Sequence, residues 1–398
     1  TKMNRRILAL LIAFIMLFGL MTGCASGKQE TAAPETAQTE SPAAEETTAE
    51  PEQTEEVPAE EEAPAEPETV SFTDSLGRTV ELPADITRIA PSGAVATMIL
   101  AAIAPECMVT INAAPSESQM AFLPANLAAL PETGQMYGSK ADLNLETLLA
   151  ADPQVVIDLG DKKGDMTEDL DALQEQIGIP VVFIEADLAH MAAAFRTLGG
   201  LLSGKSDRGE ELAALVDRTT AIAEENAAKI TDDMRVRAMY TTGEDGLGTN
   251  AAGSMQAQVL DMVGVENAVV VEDVSNKGGG NIISLEQLYN FDPDVILFAD
   301  GSIYDTVADD SAWSQLTAIS TGRYYEVPGS PYSWLSGPPS MNMILGVWWL
   351  GNLIYPEIYD YDMETMTQEL YKTLWGYELS SEEVTALLGN STLKAAAQ

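Results

Sequence analysis

The chain has 398 residues, a length that fits two or three domains. Its 62 acidic residues outnumber its 20 basic residues, and the formal net charge is −42 at pH 7. Nucleic acid and anionic membrane surfaces repel a chain of this charge, so we expect neither as a partner.

The first 24 residues predict a signal peptide. A basic start precedes an apolar run over residues 7–20, which is short for a membrane span but suits a signal-peptide core. The run leads into Gly23-Cys24, which resembles a bacterial lipoprotein signal that is cleaved before Cys24 and carries lipid on its thiol, although Met21 stands where leucine is usual. An uncleaved anchor with an incidental cysteine is the alternative. The other cysteine, Cys107, is then expected to be a buried apolar residue.

Residues 25–70 predict a spacer. They contain fourteen glutamates and one lysine, interleaved with proline, alanine and threonine, and they lack aromatic residues. Such a segment cannot bury a core, and its like charges repel one another. We therefore expect a disordered, extended spacer between the anchor and a globular part.

From residue 71 onward the chain alternates between strand and helix patterns, which is typical of a parallel α/β layer. The pattern predicts a hairpin over 71–83, strands at 88–91, 108–111, 155–157 and 180–184, and helices at 94–104, 144–152 and 166–177.

One segment occurs twice, 140 residues apart. Residues 144–157 and 284–297 each predict a short amphipathic helix, an Asp-Pro stop and an apolar strand. Proline disfavours helical backbone in the residue before it, so the helices should end near Asp152 and Asp292. The repeat indicates two similar lobes. Glu146 and Glu286 fall in exposed first turns, where complementing the helix dipole is the simplest role.

The middle of the chain is helical. Two amphipathic helices are predicted, and the second, over 207–229, would span roughly 33 Å at 1.5 Å per residue, enough to join two lobes. After it we expect a strand at 235–240, a helix at 254–263, the repeat, a strand at 324–327, and helices over 341–353 and 363–388.

Two motifs in the helical region do not indicate chemistry. Residues 199–206 match the phosphate-loop pattern, but a helix precedes them where that loop requires a strand, so we predict a helix-to-helix turn. His190 is the only histidine, which leaves it without a partner for metal ligation and leaves no Ser-His-Asp or Cys-His set elsewhere. We expect no catalytic residues and no metal site.

An aromatic loop follows the last predicted strand. Residues 332–340 carry Trp334 in a stretch rich in proline and glycine. At the mouth of a cleft between lobes this ring would form a ligand wall. The alternative is that Trp334 packs onto the helix over 341–353.

Taken together, these segments resemble the substrate-binding lipoproteins of ABC importers for chelated iron, haem and cobalamin. The markers, in order, are the entry segment 74–83, the strand 88–92, the paired Leu-Glu…Asp-Pro segments, Leu198-Gly199 with Gly204, and the segment 258–267. The resemblance covers the chain from about residue 71 to the end.

The resemblance implies a fold and an organisation. The fold class is α/β, with two Rossmann-like lobes joined by one long α-helix, like class III periplasmic binding proteins, and with the ligand cleft between the lobes. The expected parts are a signal peptide (1–24), a spacer (25–70), an N-terminal lobe (71–204), a linker helix (205–232) and a C-terminal lobe (233–398). We expect a monomer without cofactors that is not an enzyme and that works with an ABC permease and its ATPase.

The resemblance also implies site residues. A glutamate on each lobe, here Glu146 and Glu286, would dock onto permease arginines. Ligand contacts come from loops that face the cleft, at the carboxyl ends of strands. In this sequence they are Ser92, Gly93, Tyr137, Gly138, Lys162, Asn250, Ser254, Tyr304 and Trp334.

The ligand stays open among several classes. These loops contain no arginine, and they are rich in aromatic residues. That composition favours a large, weakly charged metal chelate, with an iron-siderophore-type complex first, over a small oxyanion. Cobalamin or another corrinoid, haem, and molybdate or tungstate are the alternatives within the fold, and a lipid-anchored hydrolase or an adhesive or structural surface protein is the alternative outside it.

The lipoprotein signal gives a test in cells. We expect Cys24→Ser to stay unprocessed or to be released from the membrane, because the lipid is the anchor. Membrane fractionation and the apparent mass of the chain measure both effects. A variant that is processed normally and stays firmly membrane-bound would contradict the prediction.

Overall fold

This computed structural model describes residues 68–137, 142–164, 166–276 and 278–392. The predicted signal peptide, Cys24 and nearly all of the spacer lie outside these ranges, and so do Gly138 and Lys277. Within the described ranges no helix combines the length and the apolar character that a membrane span needs.

The N-terminal lobe is built on a parallel sheet of three strands, β3-β4-β5, with β4 in the centre. An antiparallel hairpin of β1 and β2 precedes it, as the sequence predicts. The strands are β1 Thr69–Thr73, β2 Thr79–Pro83, β3 Ile89–Pro91, β4 Val155–Gly160 and β5 Val181–Glu185, and the helices are α1 Ala94–Ile103, α2 Glu117–Met120, α3 Leu145–Ala150, α4 Met166–Ile177 and α5 Met191–Leu201.

The linker helix α6 spans Ser206–Ala227, and its 22 residues agree with the predicted length. Leu212, Leu215 and Val216 are buried on one face. The phosphate-loop pattern over 199–206 begins in the last turn of α5 and ends at the first residue of α6, so it spans a turn between two helices.

The C-terminal lobe is built on a mixed sheet in the order β11-β10-β6-β7-β9, with β8 paired to β6. The pairs of β6 with β10 and of β10 with β11 are parallel. The strands are β6 Arg237–Thr242, β7 Gly248–Thr249, β8 Glu266–Asn267, β9 Asn281–Ile282, β10 Val295–Phe298 and β11 Tyr324–Glu326, and the helices are α7 Gln258–Met262, α8 Leu285–Phe291, α9 Thr317–Ser320, α10 Met343–Ile354, α11 Met363–Trp375 and α12 Ser381–Leu388.

The last helices also contact the N-terminal lobe. The Arg208 guanidinium, on α6, donates to the backbone oxygens of Ala102, on α1, and Thr373, on α11. The ring of Phe122 packs edge-on against Tyr371, with the centroids 5.5 Å apart. The helices that end the chain therefore join both lobes to the linker helix.

Two predicted elements are wrong in detail. Residues 108–111 were expected as a strand, but they form only isolated bridges, from Met108 to Ile89 and from Ile111 to Glu132. Residues 254–263 were expected as one helix, but they divide into a 3-10 turn, Met255–Ala257, and the short helix α7.

The repeated segment has the same backbone in both lobes. Side chains of Asn144 and Ser284 accept the amides of Thr147 and Gln287 and so cap α3 and α8. Leu148 and Leu288 occupy the matching buried positions. Both helices stop at an aspartate with positive φ, 50° at Asp152 and 33° at Asp292. These are the only non-glycine residues with positive φ in the described ranges.

The two stops differ in one respect that a substitution can measure. The Asp292 carboxylate accepts the backbone amide and the hydroxyl of Thr317, at 3.0 and 2.9 Å. At Asp152 it is the backbone oxygen that accepts a hydrogen bond, from Arg88 Nε. A glycine at this position would keep that bond. Glycine relieves the left-handed backbone equally at both positions.

We therefore expect Asp292→Gly to be less stable than Asp152→Gly by about 1–3 kcal/mol, the value of two hydrogen bonds at about 0.5–1.5 kcal/mol each. Urea unfolding of the two variants measures the difference, and each variant serves as the other's control. Equal free energies of unfolding would show that the Thr317 bonds add nothing.

Candidate functional site

A cavity of about 300 Å³ lies between the lobes, at the carboxyl ends of β3 and β4. Parallel sheets bind ligands at this edge. The residues that line it in the N-terminal lobe are Ser92, Gly93, Ala94, Val95, Ala96, Gln135, Tyr137, Asp158, Leu159, Gly160, Asp161 and Lys163, and those on the opposite side are Met255, Gln256, Asn276, Gly278, Ser336, Gly337, Pro338 and Pro339.

Asp158 is the most buried charged group of the cavity. It lies inside β4 and is 3% exposed. The Ser92 hydroxyl donates to its Oδ1, while its Oδ2 has no hydrogen-bond partner among the described residues. Burial raises the pKa of this carboxyl, against the opposing effects of the Ser92 hydrogen bond and the charge of Lys163. The site therefore holds a carboxyl group that is costly to ionise.

Tyr137 and Lys163 form a second feature of the same wall. The ammonium of Lys163 lies 4.7 Å from the centroid of the Tyr137 ring. Burial, together with the charges of Asp158 and Asp169, raises the pKa of the Tyr137 phenol, so the hydroxyl stays protonated. A protonated phenol can donate to a ligand, and the ammonium is partly engaged by the ring.

The start of α1 also faces the cavity. Its first turn, Ala94 to Ala96, lines the wall, and the first amides of a helix have no acceptor within the helix. Gly93 makes the entry possible, because a Cβ there would lie 3.1 Å from the Gln135 Cβ. The first turn can thus donate backbone hydrogen bonds to a ligand.

The opposite wall is held by amide groups. Asn276 accepts the Met255 amide on its Oδ1 and the Gln256 Nε2 on its backbone oxygen, both at 2.9 Å. Gln256 is 4% exposed, and its Oε1 has no partner among the described residues. The hydrogen bond of Gln256 Nε2 therefore fixes the orientation of the side-chain amide and of its unpaired oxygen, Oε1.

Three of the predicted ligand residues, Ser92, Gly93 and Tyr137, line the cavity. Lys163 lines it where Lys162 was expected, and Gly138 lies outside the described residues. Whether these residues bind a ligand stays a prediction.

Two further predicted contacts, Asn250 and Ser254, are buried, at 1% and 2% exposure, and do not line the cavity. The backbone of Gly280 lies against Asn250, because a Cβ added there would lie 2.6 Å from the Asn250 Oδ1. The structure buries both side chains, and a ligand contact at either position stays a prediction.

The aromatic rings expected as cleft walls occupy other places, and Trp334 packs onto α10, which is the alternative that the sequence left open. Trp334 is 0% exposed and packs against Trp349 and Tyr371, with centroids 6.5 and 6.4 Å away. Tyr304 packs against Phe298 and Tyr324. Neither ring lines the cavity, because each is taken up by a neighbouring aromatic core.

Sequence reasoning missed Asp158 and Gln256. Asp158 lies in a strand that is otherwise apolar, and a single carboxylate within a buried parallel strand was a signal that could have been used. Gln256 carries no comparable signal, since one glutamine in a polar turn is common.

One group outside the cavity has metal-ligand chemistry. Glu185, Asp187 and His190 each offer a ligand atom, and these atoms lie within 4.8 Å of one another. The Nδ1 of His190 lies 2.6 Å from Asp187 Oδ1, and this contact raises the pKa of the exposed imidazole. A metal ion there would compete with the proton that the contact stabilises.

Two α/β lobes, one linker helix and a polar cavity between them define the class of two-lobed solute-binding proteins. The sequence profile described as "Periplasmic binding protein" matches residues 100–331, so the chain belongs to this family. Its members are solute-binding proteins of ABC transporters, not enzymes, and the family implies an extracytoplasmic location.

Solved structures share the fold. An ABC transporter solute binding protein from Sulfurospirillum deleyianum is 28% identical, with a TM-score of 0.73 over 80% of this chain and 99% of that chain. A periplasmic solute binding protein from Veillonella parvula is 24% identical, with a TM-score of 0.68 over 81% and 98%. The molybdate-bound molybdate-binding protein MolA from Haemophilus influenzae is 20% identical, with a TM-score of 0.64 over 78% and 99%. No curated protein matches the chain.

The raised pKa of Asp158 predicts how stability depends on pH. The folded protein holds this proton more tightly than the unfolded chain, whose aspartate pKa is about 3.9. The contribution of this bound proton to folding stability is therefore complete below the unfolded pKa. It is lost as the pH rises through the folded pKa. We expect Asp158→Asn, which is neutral throughout, to be more stable than the wild type at pH 8 by about 1–3 kcal/mol, as for a buried polar atom without a partner, and to lose this advantage towards pH 4.

Urea unfolding at both pH values measures this change. Asp309→Asn, at an exposed aspartate, is the control and should show no such change. An advantage of Asp158→Asn that is the same at both pH values would contradict the assigned cause.

Proposed function

We propose that this chain captures a metal chelate outside the cytoplasm and delivers it to an ABC permease, with an iron-siderophore-type complex as the ligand class. The observation that carries the proposal is the cavity between the lobes. Its volume of about 300 Å³ is within the range of pockets for small organic ligands. Its walls combine a phenol, backbone amides and side-chain amides with apolar surface, which suits a weakly charged chelate.

An oxyanion is the second candidate, because the first turn of α1 and the Ser92 hydroxyl are anion-binding groups. The charges weigh against it. Among the described lining residues Lys163 is the only cation, and Asp158 and Asp161 are carboxylates. The Haemophilus influenzae structure contains molybdate, but its likeness to this chain supports the fold alone.

The corrinoid alternative loses its main support. Trp334, the ring expected as a ligand wall, could have stacked on a corrinoid, but it is fully buried against Trp349. A hydrolase or an adhesive protein is disfavoured by membership of a family of transport proteins.

The proposal includes an anchor and two docking points. Cys24 carries the lipid, and residues 25–70 hold the lobes away from the membrane. Glu146 and Glu286 contact permease arginines, one from each lobe. Their exposure and their equivalent places in α3 and α8 support this role, since two charged points on two lobes let a permease sense lobe spacing.

Ligand binding is tested by thermal unfolding of the full chain in detergent with ferric siderophores, haem, cobalamin, molybdate and tungstate. We expect a ferric chelate to raise the melting temperature, because a ligand at 100 times its Kd stabilises the folded state by about 2.7 kcal/mol. An oxyanion that alone stabilises the protein would exchange the first candidate for the second. Catalytic turnover without a stoichiometric complex would contradict a binding function.

Docking is tested by reversing both glutamates, Glu146→Lys and Glu286→Lys. We expect uptake through the cognate permease to fall at least about tenfold, because both contacts become repulsive. Ligand affinity should be unchanged, and stability should change by no more than about 1 kcal/mol, since the charges are exposed.

The matched control reverses Glu168 and Glu364, which are also exposed first-turn glutamates, on α4 and α11. Uptake by this control should stay at the wild-type level. Normal uptake by the Glu146 and Glu286 double variant, or an equal loss of affinity and uptake, would refute the docking role.

A further inference from the structure

Besides the Tyr137 hydroxyl, the cavity lining contains two buried acceptor oxygens, from a carboxyl and an amide, that have no hydrogen-bond partner among the described residues. Asp158 Oδ2 belongs to the N-terminal lobe and Gln256 Oε1 to the C-terminal lobe, and neither has a hydrogen-bond partner among the described residues. Both residues line the cavity and are more than nine-tenths buried. Buried polar atoms are almost always paired, so an unpaired acceptor on each side of one ligand cavity points to the ligand as the partner.

Contacts with neighbouring residues determine which atoms of the two side chains have no hydrogen-bond partner. The Ser92 hydroxyl is committed to Asp158 Oδ1. Gln256 Nε2 donates to the backbone oxygen of Asn276 at 2.9 Å, so turning the amide over would bring two oxygens together and lose this bond. The unpaired atoms of the two side chains are therefore both oxygens that can accept a hydrogen bond.

The surrounding charges favour a cationic partner. Asp161 adds a second carboxylate to the lining, and its pKa is raised by burial and by the charge of Asp187. The only ammonium in the described lining, that of Lys163, lies over the Tyr137 ring. A donor with a positive charge would lower the cost of ionising Asp158, whereas an anion would raise it.

We propose that the solute carries a protonated amine, or a cationic donor of the same kind, which Asp158 binds, and a second N–H or O–H donor, which Gln256 binds from the opposite lobe. This inference rests on the proposed function and specifies its ligand as a cationic or zwitterionic chelate rich in hydrogen-bond donors. Asp158 then discriminates between ligands by their charge. Gln256 adds a hydrogen bond from the opposite lobe, so tight binding requires both lobes. An anionic chelate would leave Asp158 without the positive charge that offsets the cost of ionising it.

The competing interpretation is a protonated Asp158 that donates to an anionic ligand. The two interpretations make opposite predictions for ligands that differ only in charge. Ferric trihydroxamates provide such a series, because ferrioxamine B carries one protonated amine, its N-acetyl derivative is neutral at that position, and its N-succinyl derivative carries a carboxylate there. The metal and its ligand oxygens are the same in all three.

The experiment measures the Kd of the full chain in detergent for each of the three probes by calorimetry. We expect the amine probe to bind at least about tenfold more tightly than the neutral probe, and the carboxylate probe to bind most weakly, since a buried charge pair with good geometry is worth this much. Asp158→Asn should weaken the amine probe by about tenfold or more and change the neutral probe by less than about threefold. Gln256→Leu should weaken both probes, because it removes the acceptor that is independent of charge.

The control variant is Asp309→Asn, which changes an exposed carboxylate that does not line the cavity. Thermal unfolding of each variant without ligand shows that it is folded. Preference for the carboxylate probe, equal affinity for all three, or an equal effect of Asp158→Asn on all three overturns the proposal. Absence of binding by all three probes also overturns the assigned ligand class, while uptake of another chelate through the permease would leave the importer function standing.

Discussion

The fold depends on a helix end, at an aspartate followed by proline, that occurs once in each lobe. In both copies a capped helix buries one leucine and ends at an aspartate with left-handed backbone, and the following proline leads into a buried parallel strand. A left-handed residue costs an aspartate free energy, so the stop persists only because the buried leucine and the strand hold it on either side. The strand that follows the first stop is β4, which places Asp158 and Gly160 at the cavity. The position of the site is therefore a consequence of where the helix ends.

Much of the fold could be predicted from the sequence, because its signals are local. The limits of α4 agree with the prediction at both ends, and the hairpin, the linker helix and the repeated segments are confirmed. The predicted strand at 108–111 was wrong, because an apolar run does not show whether it can pair in register with a neighbouring strand. Only the bridges at Met108 and Ile111 form, since the neighbouring segments reach them at single points.

The candidate site was less predictable, because it depends on which side chains the tertiary structure buries. Loop position alone placed Trp334 at the cleft, yet the helices α10 and α11 supply Trp349 and Tyr371 to enclose it. Asn250 and Ser254 were expected in a cleft loop, but both are buried, and the backbone at Gly280 lies against Asn250. Conversely, Asp158 lies within a strand, where a pattern search expects core residues and not ligand contacts. Contacts between distant segments decide all of these cases.

The connections between the lobes limit how the cavity can respond to a ligand. The lobes are joined by α6, and the guanidinium of Arg208 links α6 to both the N-terminal α1 and the C-terminal α11. The packing of Phe122 on Tyr371 adds a second contact between the N-terminal lobe and α11. A small rotation about the junction changes the separation of two residues more when they lie far from the junction than when they lie close to it.

A ligand that pairs with Asp158 on one lobe and Gln256 on the other would therefore set the spacing of the lobes. On the proposed function, the positions of Glu146 and Glu286, one on each lobe, would follow that spacing, so occupancy of the cavity and recognition by the permease would be coupled without any contact between the two sites.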